Sequence, residues 1–281
     1  IFIIIGALTA IFTLAVATGL KRGIKWIGNL NMVAFIFIWV FVLVFGPTLF
    51  FINLFTNSLG QYLFHLIPMS LFTAPADTTN WLGGWTVFYW AWWMSWAPFV
   101  AVFIARISKG RTIRQTVAAT LIFPTLANML WYTVIGGAGI SFDVTETLSS
   151  EGLESAIFAI ADNLPITGII SIILIFLIVT FFLTSANSAA LSLSMFTSGS
   201  EEPPKRLRIF WGVALGAVAA VLAGTGGLKA IQTASIATAF PLMFLLLLVI
   251  YGTFRGLSRY KKENPVVAAT DQAVSTPGAE R

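Results

Sequence analysis

The sequence predicts an all-α polytopic membrane protein. Three observations carry that prediction. Of 281 residues, 58% are hydrophobic and only 10% are charged, a composition outside the range of soluble domains. Apolar runs of about 20 residues, the length that crosses ~30 Å of hydrocarbon, recur along the chain. The basic residues cluster between those runs. The chain has no cysteine, so disulfides and thiolate chemistry are excluded. One histidine, His65, falls outside the expected spans and by itself makes neither a catalytic dyad nor a metal site. Without a nucleophile–base pair or a metal-ligand cluster, the sequence argues against an enzyme.

Ile1 to Ala17 reads as the remainder of a spanning helix. The chain opens on isoleucine inside an apolar run, with no methionine and no charged leader. It is therefore expected to be a piece that inserts but does not transport alone. Gly19–Leu30 is short, basic and amphipathic, which suits a helix lying at the inner surface. Asn31–Ile52 is expected to be the second span, with Gly46-Pro47 near its outer end. Asn53–Asn80 spaces Phe, Leu and Tyr among polar residues and carries Pro68 and Pro75, so it reads as an outer-surface helix and loop. A Trp-rich third span runs from Gly84 to Arg106.

Thr116–Ile135 is the fourth span, with Pro124 inside it and Gly136-Gly137-Ala138-Gly139 at its end. Ile140–Leu164 is acidic, with no Lys or Arg, and reads as an outer segment. Pro165–Phe196 is the fifth span and is long for the hydrocarbon thickness, so it is tilted, bent or extended. After the basic turn Glu201–Arg208 come a sixth span, Ile209–Ala223, and a seventh, Ala234–Tyr251. From Arg255 the tail is basic, then polar and expected to be disordered. The domain reading is 1–53 for the first two spans with the inner-surface helix, 54–83 for the outer helix and loop, 84–254 for five further helices, and 255–281 for the tail.

Fifteen of the 16 basic residues fall in four segments of one side: Lys21–Lys25, Arg106–Arg114, Lys205–Arg208 and the tail from Arg255. Only Lys229 lies elsewhere. The positive-inside rule then predicts a cytoplasmic C-terminus for a multi-pass protein of the plasma (inner) membrane. No charged residue lies within any expected span, although proton relays and gating charges need intramembrane ionisable groups.

Two constellations stand out. In GGWTVFYWAWWMSWAPFVAVFIARISKGR, Gly83–Arg111, Trp92, Trp93 and Trp96 fall near mid-membrane. At about 100° per residue they share one arc of the helix. Interfacial belts explain Trp81, Trp85 and Tyr89 but not three indoles at mid-depth. Pro98 removes a backbone donor and frees the carbonyl of Met94, which a bilayer tolerates only beside protein or a water-filled cavity. Spacing alone leaves both packing and a cation cage open. The second constellation is Val179-Thr-Phe-Phe-Leu-Thr-Ser-Ala-Asn-Ser-Ala-Ala190, where Thr184, Ser185 and Ser188 cluster in an uncharged span. Close helix packing with hydroxyls bonding the preceding turn and a site for a hard cation are both compatible with it.

GWTVFYWAWWMSWAPFVAVFIARISKGRTIR resembles the signature segment of the betaine/carnitine/choline transporter (BCCT) family, long and specific in residue order. The resemblance extends from Gly19 to Tyr251 and includes Asn29-Leu-Asn-Met32 and Gly46-Pro47-Thr48. It implies that Trp92, Trp93 and Trp96 line the pathway of a quaternary-ammonium substrate. It also implies that the carbonyl of Phe181 and the hydroxyls of Thr184 and Ser185 bind Na⁺. Where the family usually has Asp, this chain has Asn187. The fold implied is the LeuT-like inverted-repeat transporter, with the Trp-rich span opening the complete second five-helix repeat.

The function implied is secondary active transport, Na⁺-coupled symport of glycine betaine, choline or a similar osmolyte. A sodium-independent exchanger of the same family and a non-transporting sensor or channel-like subunit are the alternatives. No cofactor is implied beyond Na⁺ as coupling ion. The partners are the substrate, Na⁺ and the lipid bilayer, with homo-oligomerisation left open and no nucleic acid.

Overall fold

The computed structural model describes residues 1–18, 21–76 and 78–263. Among them there is no strand. The α-helices follow one another as α1 (Phe2–Thr18), α2 (Lys21–Phe45), α3 (Thr48–Ser70), α4 (Phe88–Ile107), α5 (Ile113–Trp131), α6 (Gly137–Ser141), α7 (Thr145–Glu151), α8 (Ala156–Asp162), α9 (Thr167–Ser198), α10 (Lys205–Thr225) and α11 (Gly227–Glu263). Five helical stretches are long and apolar enough to cross a membrane: Lys25–Phe45, Ile113–Ser141, Thr167–Ser198, Lys205–Thr225 and Lys229–Tyr260; Phe2–Thr18 is a shorter apolar helix. This is an all-α polytopic membrane protein.

Several boundaries differ from those the sequence suggested. The basic stretch expected as a separate surface helix is continuous with the second span, because nothing between Lys21 and Phe45 breaks the ladder; Gly19 and Leu20 lie outside the described residues. That span stops at Phe45 and not at Ile52. Gly46 closes it by donating its N–H to the Val42 carbonyl (2.9 Å), and Pro47 caps α3 without needing a backbone donor. A side chain at 46 would meet the Val42 carbonyl at 2.6 Å, so this corner requires glycine. The Gly136–Gly139 run does not end the fourth span either. The helix passes through a π-helical turn, Tyr132–Gly136, into α6. Gly137 is there for close approach: a Cβ would lie 2.9 Å from Leu54 and 3.1 Å from Phe51 of α3. The basic start of the tail is helical, with Arg259 paired to Glu263 at 2.7 Å on an exposed face. The polar tail expected to be disordered, 264–281, lies outside the described residues.

The chain divides into two compact units. The first comprises Ile1–Ala74 and Phe99–Gly224. Its core gathers Ile38, Phe41 and Val42 of α2, Phe51 of α3, Val134, Ile135 and Ala138 around the π-turn, Ile160 and Ala161 of α8, and Ile170, Leu174 and Leu177 of α9. The acidic segment Ile140–Leu164 therefore folds as α7 and α8 and buries Ala159, Ile160, Ala161 and Leu164. Helix α9 packs against both α1 and α2, and α10 lies close to α1, where Gly212 and Gly216 face Thr13 and Thr9. Small residues admit such approach where lipid supplies no hydrophobic drive. The second unit comprises Pro75–Pro98 and the chain from Thr225 onward. Ser95 Oγ donates to the Ala91 carbonyl at 2.8 Å and approaches the Ser235 carbonyl of α11 at 3.3 Å, tying α4 to α11 within that unit.

Candidate functional site

The Trp-rich span begins with a π-helical turn, Gly83–Val87, where Gly83-Gly84 offers little preference for tight helix and Asn80 sits left-handed at φ 56°. From Phe88 the helix is regular. Phe88 is 4% exposed and edge-on to Trp92 at 5.1 Å, so it does the packing beneath the indole. Trp92 and Trp96, each 37% exposed, come together with ring centroids 6.4 Å apart and planes at 39°. Trp93 stands apart on the flank, 64% exposed and without a ring partner among the described residues. The structure thus joins two of the three expected aromatics. It also adds two that were assigned to an interfacial belt. Tyr89 lies 6.5 Å from Trp92 with planes at 12°, and Trp85 lies 6.2 Å from Tyr89 with planes at 13°. The signal was present as the 4-3-4 spacing of residues 85, 89, 92 and 96, which keeps them within about 60° on a helix.

The hydroxyl constellation lies in the first unit on α9, a continuous helix of 32 residues. Thr184 Oγ1 donates to the carbonyls of Thr180 and Phe181, both at 3.0 Å. The Phe181 carbonyl and Thr184 hydroxyl are therefore adjacent, as a shared ligand pair requires. Ser185 is exposed and has no hydrogen-bond partner among the described residues. The Phe181 ring is fixed edge-on against Phe35 (6.2 Å, 86°), which stacks on Trp131 at 4.4 Å. One turn earlier, Thr180 Oγ1 donates to Asn31 Oδ1 at 2.6 Å; Asn31 is 2% and Thr180 8% exposed. No local pattern marks this pair, whose members are 149 residues apart. Asn187 is buried with its Oδ1 unpartnered. Among the described residues no group of three or more His, Cys, Asp or Glu could hold a metal ion, so the oxygens on offer to an ion on α9 are neutral.

An aromatic face on α4 and a neutral oxygen cluster on α9 suit a cationic organic solute and a small hard cation. The family model described as BCCT, betaine/carnitine/choline family transporter, matches residues 1–262. The chain belongs to the betaine/carnitine/choline transporter family. The glycine betaine transporter OpuD of Bacillus subtilis is 39% identical over 266 residues, 93% of this chain and 52% of the relative. An ectoine/hydroxyectoine transporter of Virgibacillus pantothenticus is 40% identical over 267 residues, 92% and 53% of the two chains. An uncharacterized transporter of Mycobacterium tuberculosis is 41% identical over 255 residues, 88% and 43%. The chain spans about half the length of the curated relatives it matches. The family it belongs to is one of transporters.

Proposed function

We propose that this chain forms part of a secondary active transporter that takes up a quaternary-ammonium osmolyte, glycine betaine or a close analogue, coupled to Na⁺. The observation that carries the reading is the Trp92–Trp96 pair, two partly exposed indoles 6.4 Å apart on the family-matched helix α4. A trimethylammonium group has no hydrogen to donate, and aromatic faces within ~6 Å are its natural partners. Trp93 supplies a third face from the flank. The names of the relatives support glycine betaine, and the ectoine/hydroxyectoine transporter widens the class to other small solutes.

Sodium coupling is supported by the neutral oxygens of Phe181, Thr184 and Ser185. A proton relay would need ionisable groups within the spans, and the expected spans carry none. The protein sits in the plasma membrane with its C-terminus in the cytoplasm, the side on which 15 of 16 basic residues cluster. The five long helices of 84–254, α4, α5, α9, α10 and α11, act as one repeat that moves against its counterpart. The test is uptake of glycine betaine by the intact transporter in liposomes. Replacing external Na⁺ with K⁺ should abolish it. Uptake that persists in K⁺ and depends on internal substrate would identify a sodium-independent exchanger.

A further inference from the structure

A cavity of about 470 Å³ lies between the π-turn Tyr132–Gly136 and the folded acidic segment, wholly within the first unit. None of the residues of α4 or α9 takes part in it. We propose that this cavity is a second ligand site, built for an apolar organic monocation.

Its walls come from a chain that turns back on itself. The end of α5, the π-turn and α6 form one side; α7, the short turn Leu153–Ser155 and α8 form the other. The interior is apolar, with Ile135 and Val144 each 8% and Ile160 5% exposed. Cavities of roughly 300–1,000 Å³ with apolar walls and few polar groups are the usual form of small-molecule sites. Packing does not demand the space. Gly136 lines the wall, and a Cβ there would meet nothing within 4 Å, so a larger residue could fill the void but does not.

Charge selects the ligand. Among the residues lining the cavity Glu154 alone is charged, and its place is fixed by the turn before it. Gly152 has a φ of 94°, which favours glycine, and a Cβ there would stand 2.7 Å from Glu154 Oε2. Ser155 Oγ donates to the Gly152 carbonyl at 2.7 Å and closes the turn. The segment 140–164 contains no Lys or Arg, and Glu154 has no ion-pair partner among the described residues. A cation in the cavity compensates that carboxylate, whereas a neutral or anionic ligand does not. Tyr132, 65% exposed, and Trp131 line the same space and add aromatic surface for a cation.

The cavity also touches the ion-binding region through one ring. Trp131 stacks on Phe35 at 4.4 Å, and Phe35 meets Phe181 edge-on at 6.2 Å. An occupant against Trp131 therefore bears on the residue whose carbonyl is the proposed Na⁺ ligand. This coupling rests on the sodium reading; the site itself does not.

The experiment measures equilibrium binding of radiolabelled tetraphenylphosphonium to the purified intact transporter in sodium buffer. Tetraphenylborate, of the same shape and opposite sign, is the control. Saturable binding of the phosphonium is expected, undisturbed by saturating glycine betaine, with the borate weaker by about tenfold or more. Glu154→Gln should weaken the phosphonium about three- to tenfold, and Ile157→Trp, which fills the cavity, about tenfold or more. Both variants should keep glycine betaine uptake. Displacement by glycine betaine, equal binding of the two ions, or unchanged affinity in both variants would overturn the proposal. Should the variants fail to fold, the sign comparison on the unmodified protein decides. Exchanging Na⁺ for K⁺ at constant ionic strength should shift the phosphonium Kd by about twofold or more, as reciprocal coupling requires. An unshifted Kd refutes the link to the ion. A shift that survives Thr184→Val refutes the sodium reading and leaves the cavity site standing.

Discussion

Replacing Thr184 with valine removes one oxygen and keeps the shape of the side chain. Its structural cost should be small. The hydroxyl is half-buried and bonds only to carbonyls of its own helix, Thr180 and Phe181, at 3.0 Å each, and those carbonyls already take part in the helix ladder. Back-bonding of this kind contributes little to helix stability, so the melting temperature should hold to within about 1 kcal/mol of unfolding free energy. Sodium binding should suffer far more. Contacts between a charge and a neutral polar group are worth ~1.5–3 kcal/mol, and 1.4 kcal/mol is a factor of about ten. The Na⁺ concentration for half-maximal uptake should therefore rise tenfold or more, with Ser185→Ala shifting it in the same direction. Substrate affinity should weaken only through coupling, so high Na⁺ should rescue it, and the coupling must be reciprocal. Uptake is measured against Na⁺ at two substrate concentrations in the intact transporter. A curve unshifted in both variants, with expression or melting temperature reduced, would refute the ion site and leave helix packing as the role of these hydroxyls.

Thr180→Val removes the 2.6 Å hydrogen bond to Asn31 and strands a buried amide oxygen; thermal unfolding should show a loss of ~1–3 kcal/mol, and no loss would mean that water replaces the hydroxyl. Gly212→Ala puts a Cβ 2.5 Å from Thr13 Oγ1, so it should destabilise the α1–α10 contact, and the double variant with Thr13→Ala should recover stability; equal melting of the single and double variants would contradict the contact. Gly46→Ala has no such rescue, because the Cβ meets the Val42 carbonyl; a drop in the yield of folded protein in detergent is expected, and a normal yield would show that the α2–α3 corner can widen.

Much of the fold was legible because helix periodicity and length are local properties. The fifth span was expected over Pro165–Phe196 and α9 covers Thr167–Ser198, bounded by left-handed Ile166 and by Gly199 at φ 64°. Where the sequence misled, a local signal had a tertiary cause. The glycines at 136–139 look like a helix end, but Gly137 is glycine because Phe51 and Leu54 approach it, and the helix continues. The charges at Lys21–Lys25 look like a surface helix, yet the absence of any breaker lets α2 run through them. At the candidate site, the types and spacing of the aromatics were readable, and so was the hydroxyl cluster. The division of labour among the rings was not. Burying Phe88 while leaving Tyr89 and Trp85 half-exposed depends on which neighbours cover which face. The Asn31–Thr180 pair, 149 residues apart, leaves no trace in either local pattern.

The most direct measurement of the central claim is the equilibrium affinity of the intact transporter for glycine betaine, compared with Trp96→Leu and Trp93→Leu. Leucine keeps apolar bulk and removes the ring quadrupole, worth ~0.5–2 kcal/mol per face in a desolvated site. If Trp92, Trp93 and Trp96 hold the trimethylammonium group, affinity should fall about tenfold or more. Undiminished affinity in both variants would contradict the cage and return the aromatic cluster to helix packing.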